Sequence, residues 1–268
     1  MFSLRAVVGL TTLVAAGCNF APSGGASPGN SDGSGSDGAP GGIDSGSGGI
    51  GGDDADAGVA ELDPCAPTTG LVACYPFEAS LEDASGEQND LRGAGYAFDP
   101  GSRGSALSLD DASQMDAIAD ASLDFTGALT IEAWVEPGEA QERWFVDHDN
   151  RWGLEIADDG ALTCTVRVDG DEEEETDSIE VSGGSAAPGA WTHVACTYNG
   201  NQVALYVEGS EVAASGAEGP IHTGDGSGFT VGRDAPDGDS FVGLIDTVRV
   251  WSIARTAPQI ACSAAGDC

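Results

Sequence analysis

The sequence predicts an all-β protein, a two-sheet antiparallel sandwich preceded by a disordered linker. From about residue 61 onward, short apolar runs alternate with polar residues at a period of two, which is typical of strands with one buried face. Turn-forming pairs such as Asp159-Gly160 and Asn199-Gly200 separate these runs, and no apolar stripe of helical period extends beyond about two turns. Roughly 205 residues of this kind suffice for a sandwich that folds on its own.

The first residues predict an export signal at 1–17. A positively charged start leads into an apolar run at residues 6–16, which is too short to span a bilayer. Small residues then precede Cys18, and this pattern resembles the bacterial lipobox, in which the cysteine is acylated and becomes the new N-terminus. We therefore predict lipidation at Cys18. Ordinary cleavage after Ala16 is the alternative, because Ala15 stands where the lipobox prefers Leu.

Residues 18–60 predict a disordered stalk. Gly, Ser, Asp, Ala and Pro dominate this stretch, so it has too little apolar surface to fold. A flexible chain of this length would hold the following domain, residues 61–268, about 35 Å from the lipid. The expected location is the bacterial outer membrane or cell surface, with membrane contact only through the N-terminal lipid. A secreted protein is the alternative.

The charge balance excludes several partners. The chain has 9 basic residues, all of them arginine, against 45 acidic ones, for a net charge of -36. Positive charge is scattered rather than gathered into a patch, which excludes nucleic acid as a partner and makes anionic lipid headgroups poor ones. Calcium, cationic groups and neutral sugars stay open as ligands. Solubility alone also explains so acidic a surface.

The alternation of apolar and polar residues places strands along the whole domain. A first strand is predicted at 71–77 and another at 129–137, each with one apolar face. Further strands are predicted at 152–156, 161–168, 191–198, 202–208, 229–232 and 241–251.

The cysteines predict an oxidising compartment. Beyond Cys18 there are six, an even number in an exported chain, which indicates three disulfides. Cys164 and Cys196 each share a strand face with apolar residues, so both point into the core and form the favoured pair. Cys65 and Cys74 either pair together or tie the first strand to the C-terminal tail. The pairing stays open for the four cysteines near the ends of the domain: Cys65, Cys74, Cys262 and Cys268.

Five segments resemble, in the same order, those of a laminin-G-like domain. They are GLVACYPFE at 70–78, DASG with Asn89 at 83–89, LTIEAWVEP at 129–137, WTHVACTYNG with LYVEG at 191–209, and FVGLIDTVRVW followed by ART at 241–256. The resemblance covers nearly all of residues 71–260. It implies a concanavalin A-like jelly roll whose first and last strands lie side by side. It also implies a family that mostly binds carbohydrates or proteins, often with a structural calcium.

The resemblance further implies a calcium site. Asp83 and Asn89 lie in the first loop and Asp246 in the closing strand, which the adjacency of first and last strands would bring near each other. Glu87 and Gln88 depart from the small residues that the family usually has in this loop. A second acidic, Gly-rich loop is interpreted as solvated, with peripheral calcium as the alternative; it contains Asp225, Asp234, Asp237 and Asp239.

Two tryptophans are candidates for binding a sugar ring. Trp144 and Trp152 flank the polar segment 147–151, which includes Asp149, and an exposed aromatic beside polar groups is typical of carbohydrate sites. Core packing is the alternative for both rings. These three residues form the hypothetical ligand-binding site, and the expected partner is a glycan or a surface protein.

No motif for catalysis is present in the sequence. The paired acidic motifs of concanavalin A-like glycosidases, the serine elbow, the phosphate loop and the zinc-protease motif do not occur. We therefore predict a lipid-anchored binding module rather than an enzyme. A structural or adhesion protein without a small ligand is the alternative. A glycan-cleaving enzyme, testable at Glu132 or Glu136, ranks third, and the oligomeric state stays open.

Overall fold

The computed structural model describes residues 63–170, 176–224, 226–236 and 238–266. Within these ranges it contains fifteen strands, a short 3₁₀ helix at Ala121–Leu123 and one α-helix, α1, at Ala257–Ala265. The strands are β1 (Leu71–Tyr75), β2 (Arg92–Ala94), β3 (Ala97–Pro100), β4 (Ser105–Leu109), β5 (Gln114–Asp116), β6 (Leu129–Pro137), β7 (Arg143–His148), β8 (Trp152–Ile156), β9 (Ala161–Asp169), β10 (Thr176–Ser185), β11 (Thr192–Tyr198), β12 (Gln202–Val207), β13 (Ser210–Gly216), β14 (Phe229–Val231) and β15 (Gly243–Trp251).

Two antiparallel sheets form the sandwich, as the sequence predicts. The larger has eight strands in the order β13-β12-β11-β6-β15-β4-β3, with β1 also paired to β15. The smaller has five strands in the order β10-β9-β8-β7-β14. β2 and β5 pair only with each other and form a separate two-stranded sheet. The fold class predicted from the sequence is confirmed.

The last strand, β15, joins the two ends of the domain. It pairs with β6 along one edge, and with β4 and then β1 along the other. The register with β6 shifts between Asp246 and Arg249, and Thr247 within this bulge has a positive φ of 47°. The first and last strands therefore lie side by side, as the resemblance implies.

The core lies between the inner faces of the two sheets. Apolar residues at alternate positions of the strands are fully buried there, including Ile131 of β6 and Leu154 of β8. Cys164 of β9 and Cys196 of β11 are bonded across this core, with Cα atoms 5.9 Å apart, which matches the favoured pairing. Because β9 and β11 belong to different sheets, this bond crosses the sandwich.

Segments from both ends of the laminin-G-like region, residues 65–67 and α1, lie on the outer face of the larger sheet. Trp251 is fully buried there, and its indole Nε1 donates to the carbonyl of Pro67 at 3.1 Å. Cys65 bonds to Cys74, which decides between the two alternatives for this pair. Cys262 on α1 is disulfide-bonded as well, whereas Cys268 lies outside the described residues.

The helix α1 has sequence signals that the period-two analysis passes over. Gln259 Oε1 accepts from the backbone N–H of Thr256 at 2.8 Å, which is half of a capping box. Pro258 lies in its first turn, and Gly266 ends it with a left-handed φ of 76°. Ile260 is its buried apolar contact. Nine residues with one strongly apolar side chain give too weak a stripe to be recognised as a helix.

The predicted signal, Cys18 and the linker at 18–60 lie outside the described residues. Among the residues that are described, no helix is both long and apolar enough to cross a membrane.

Candidate functional site

A groove of about 270 Å³ crosses the outer face of the five-stranded sheet. Strands β7 to β10 supply most of its surface through the side chains that point away from the core. Apart from two tryptophans, the residues that line it are polar or charged: Trp144, Asp147, His148, Asp149, Asn150, Arg151, Trp152, Glu155, Thr165, Arg167, Ser178, Glu180 and Asp234. A second cavity of about 330 Å³ shares Trp144, Glu155 and Asp234 with it.

A bulge in β7 decides which residues reach this face. The register with β8 shifts between Trp144 and Val146. The extra residue places both Phe145 and Val146 in the core, each with no exposed surface, and leaves Trp144 and Asp147 on the outer side. Without the bulge, strict alternation would put Val146 on the same face as Trp144.

Gly153 on β8 gives the Trp144 ring its position. A Cβ atom at Gly153 would lie 2.7 Å from Cζ3 and 2.8 Å from Cε3 of Trp144. The indole therefore lies directly over the glycine, against the sheet, and is half-buried. Directly opposite Trp144 on β8 is Glu155. The result is a fixed aromatic ring beside a carboxylate, on a rigid pair of strands.

Asp147 is the most deeply placed acid of the groove. It lies opposite Gly153, is 5% exposed, and its Oδ2 accepts from the backbone N–H of Ala235 at 2.9 Å. Burial raises the pKa of Asp147 from 3.8 to about 7, and the nearby charges of Asp234 and Asp149 add to the effect despite the Ala235 hydrogen bond. A substantial share of this carboxyl is therefore protonated at neutral pH.

The neighbouring acids are perturbed in the same direction. Burial and the charge of Glu180 raise the pKa of Glu155. Burial and the charge of Asp149 likewise raise the pKa of Asp234. These carboxyls repel one another across the groove, so an added cation would relieve the repulsion.

Trp152 does not offer an exposed ring. It is 2% exposed and packs inside the core against Phe125, His148 and Phe229, with centroids 6.1, 5.0 and 5.7 Å away. The prediction of a stacking role for Trp152 is wrong. The reason is that residues 149–151 form a tight turn, with a left-handed Asn150, so that Trp152 lies directly opposite the inward-facing His148.

Asp149 and Arg151 fix the end of the groove. Asp149 Oδ2 accepts from the backbone N–H and the hydroxyl of Ser227, at 2.8 and 2.6 Å. Arg151 forms an ion pair with Asp124 and donates from Nη2 to the carbonyl of Thr223 at 2.7 Å. Asp149 thus lies in the predicted ligand site, but one of its oxygens already holds a loop.

The sequence and this architecture fit one known family. The laminin-G family model of the concanavalin A-like lectin/glucanases superfamily matches residues 110–261, which is more than half of the 268 residues. The chain belongs to this family. No curated protein is similar enough in sequence to count as a match.

Solved structures share the fold of this laminin-G-like domain. Domain 4 of AbnA, a GH43 extracellular arabinanase from Geobacillus stearothermophilus solved in complex with arabinotriose, is 22% identical with a TM-score of 0.54, over 72% of this chain and 98% of that one. The binding domain of botulinum neurotoxin DC, solved in complex with rat synaptotagmin II, is 12% identical with a TM-score of 0.55, over 75% of this chain. The same domain in complex with SialylT is 13% identical with a TM-score of 0.56. The chain spans about half (52%) of the neurotoxin binding domain.

The oxygens of Asp83 are occupied by the loop that contains it. Oδ1 accepts from the backbone N–H groups of Cys74 and Ser85, both at 2.9 Å. Oδ2 accepts from the hydroxyl of Ser85 at 2.7 Å and from the backbone N–H of Asn89 at 3.0 Å. The carboxylate therefore organises the first loop of the laminin-G-like domain by hydrogen bonds alone.

The other two predicted calcium ligands differ in how their oxygens are engaged. The Asn89 amide nitrogen donates to the carbonyl of Val72 and to Ser122 Oγ, both at 2.8 Å, whereas its Oδ1, the atom that would bind calcium, is buried without a hydrogen-bond partner in the described part of the chain. Asp246 Oδ2 accepts from the backbone N–H of Arg103 at 3.0 Å. Within the described ranges, no group of three or more acidic, His or Cys side chains is arranged to hold a metal ion. Calcium binding at these three residues stays a prediction.

Glu132 is part of a buried ion cluster on the opposite sheet. It is fully buried, accepts from Arg249 Nη2 at 2.7 Å and pairs with Arg255 Nη1, whose guanidinium lies 4.4 Å from the Trp251 ring centroid. Burial opposes ionisation, but His193 and the two arginines hold the pKa of Glu132 below its usual value. A catalytic test at Glu132 is therefore misplaced, because no substrate reaches this carboxylate.

Sequence analysis did not find Asp147, Glu155 or Asp234 as site residues. The β7 bulge breaks the alternation around Asp147, so the pattern shows only a polar segment there. Asp234 was assigned to a solvated loop, together with Asp225 and Asp237, which lie outside the described residues. The available signal was Gly153, since a glycine inside a strand often marks the close approach of another group.

Proposed function

We propose that this chain is an exported binding module whose laminin-G-like domain holds a glycan in the groove around Trp144. The observation that carries the proposal is the Trp144 ring, laid over Gly153 with the carboxylate of Glu155 opposite. A sugar ring stacks its C–H face on an aromatic ring while its hydroxyls donate to carboxylates.

The position of the groove supports the proposal. Its floor is made of paired strands, so the ring and the acids are held before any ligand arrives, which lowers the entropy cost of binding. The solved structures of similar fold include one in complex with arabinotriose and one in complex with synaptotagmin II. These complexes support glycans and proteins in general as ligands of such domains. The Trp144 ring, on which a sugar can stack, favours a glycan over a protein as the ligand here.

A glycan array tests the proposal directly. The full chain is screened alongside Trp144→Ala, with and without calcium and with a chelator. Trp134→Ala is the matched control, because Trp134 is also half-buried but lies on β6 in the opposite sheet. Binding that Trp144→Ala loses and Trp134→Ala keeps supports the proposal. No glycan binding in any condition would favour an adhesion protein that contacts a surface protein instead.

Export and lipid anchoring are part of the proposed function. The disulfide bonds Cys65–Cys74 and Cys164–Cys196 fit an oxidising compartment outside the cytosol. The lipobox-like pattern supports acylation of Cys18, with residues 18–60 as the stalk. Mass spectrometry of the chain from a bacterial membrane fraction should find a diacylglyceryl group on Cys18, and Cys18→Ser should release the chain from that fraction. An unmodified wild-type Cys18 would favour secretion.

Glycan cleavage is a second candidate, which one observation favours. Asp147 has its pKa raised to about 7 and shares the groove with other carboxylates, and glycosidases use an acid with a raised pKa beside a second carboxylate. Incubation of the chain with each glycan it binds should reveal shortened products if it is an enzyme, and Asp147→Asn should abolish them. Glycans that stay intact after long incubation would contradict cleavage and leave binding as the only proposed function.

A further inference from the structure

The charges that line the two adjoining cavities are unbalanced. Three arginines line them, but Arg143 is paired with Asp239 at 3.5 Å and Arg151 with Asp124. That leaves Arg167 among these three without a paired acid in the described part of the chain. Seven acids line the same cavities: Glu142, Asp147, Asp149, Glu155, Glu180, Asp234 and Asp239.

One of these acids is buried without a countercharge. Asp147 is 5% exposed and lines the groove. One oxygen accepts from Ala235, while no hydrogen bond or ion pair joins the other oxygen, Oδ1, to any residue that the structure describes. The acids of the groove repel one another, which agrees with the raised pKa values of Asp147, Glu155 and Asp234, and Arg233 offsets only part of this effect at Asp234.

The remaining feature of the groove also favours a cation. Trp144 lies directly opposite Glu155 in the strand pairing, and the face of an aromatic ring attracts cations through the negative charge of its π-system. An aromatic ring with several carboxylates around it is the combination that recognises a protonated amine. A neutral sugar would stack on the aromatic ring, but it would gain little binding free energy from so many carboxylates.

We propose that the ligand in this groove is a glycan that carries free amino groups, with a protonated amine placed among Asp147, Glu155 and the Trp144 ring. The proposal rests on the proposed function and names its ligand class. A basic peptide has the same charge, but a Lys or Arg side chain also needs an apolar channel for its stem. Here Thr165 and Ser178 line the groove with hydroxyls that suit a sugar.

The test compares two soluble oligosaccharides of equal length by calorimetric titration of the full chain. One is an oligomer of glucosamine with free amines and the other is its fully N-acetylated counterpart, both at about pH 6. Such amines are protonated at this pH, and the charge that attracts them comes mainly from the acids other than Asp147, which is largely protonated until the amine binds. We expect the free-amine oligomer to bind about tenfold or more tightly than the acetylated one, and added salt to weaken the difference.

Three variants assign the effect to the groove. Glu155→Gln should remove most of the preference for the amine, and Trp144→Ala should remove binding of both oligomers. Glu87→Gln is the control, since Glu87 is exposed in the first loop and does not line the groove. Melting curves of all variants show whether each one is folded.

Each alternative outcome has a definite meaning. Equal affinity for both oligomers, or an amine preference that survives Glu155→Gln, would overturn the cationic ligand while leaving glycan binding intact. Binding of an oligolysine peptide without binding of either oligosaccharide would show that the groove recognises amines on a peptide rather than on a glycan, and would overturn the proposed ligand. Binding of neither the oligosaccharides nor the peptide would overturn the proposal, and the glycan array would then decide whether the proposed function survives.

Discussion

Asp147→Asn should stabilise the protein at neutral and alkaline pH. The substitution removes the charge but keeps the shape of the side chain, and the amide oxygen can still accept from the backbone N–H of Ala235. The new amide nitrogen takes the place of Oδ1 on a residue that lines the groove, so water in the groove can accept from it. We therefore expect the main effect to be the loss of a carboxyl that is costly to ionise.

The sign of the effect follows from the two pKa values of Asp147. Below its ordinary pKa of 3.8, the carboxyl is protonated in both the folded and the unfolded chain. Between 3.8 and about 7 only the unfolded chain gives up its proton, so rising pH favours unfolding. Three pH units at about 1.4 kcal/mol each amount to a cost of about 4 kcal/mol above pH 7.

Urea denaturation at a series of pH values between about 4 and 8 measures this cost. The difference in unfolding free energy between Asp147→Asn and wild type should be near zero at the acid end and rise to about 4 kcal/mol at the alkaline end. For a domain of this size that gain corresponds to roughly 10 °C in Tm. Glu87→Gln, which removes an exposed acid, should give a difference that stays flat across the range.

A constant difference across the pH range, or a variant that is less stable than wild type throughout, would refute the reasoning. Either result would mean that Asp147 is not a strained carboxyl. The expected result would also bear on function, because binding sites often retain residues that lower stability.

Three further substitutions test other parts of the account. Glu132→Ala should destabilise the protein by about 3–5 kcal/mol, measured by denaturation, because it leaves buried guanidinium groups without their acid; a loss below 1 kcal/mol would contradict the buried cluster. Gly153→Ala should weaken glycan binding as strongly as Trp144→Ala, since its Cβ would lie 2.6 Å from the carbonyl oxygen of Val146 and 2.7 Å from the indole and would displace β7 and the ring together; unchanged affinity would show that the ring position is unimportant. Replacing both Cys65 and Cys74 by Ser should cost about 2–3 kcal/mol, as expected for a short closed loop, and an unchanged Tm would argue against the bond.

The regular strands could be predicted because their alternation is undisturbed. The structure has strands where the sequence predicts them at 129–137, 152–156 and 161–168, with deviations of a residue or so. β10 was missed because it is mostly exposed and polar and carries two adjacent glycines, so it has little apolar pattern to find. The laminin-G-like segments then supplied the adjacency of β1 and β15, which alternation alone does not contain.

The candidate site was predicted only in part, for a geometrical reason. Trp144 is half-buried, which agrees with the hypothesis that it lies outside the core, but the bulge beside it reverses the face of the residues that follow. Asp147 consequently lies on the outer face, because a side-chain pattern does not reveal an inserted residue in a strand. Trp152 lies in the core for another reason, since it shares the inward face of β8 with Leu154. The charge of the groove also depends on loops that approach from distant parts of the chain, such as the one that contains Asp234.

A crystal structure of the full chain with the glucosamine oligomer would test the central claim most directly. The account predicts a sugar ring stacked on Trp144, with an amine within hydrogen-bond distance of Asp147 or Glu155. A ligand bound elsewhere, for example at the first loop near Asn89, with the Trp144 ring uncovered, would contradict it.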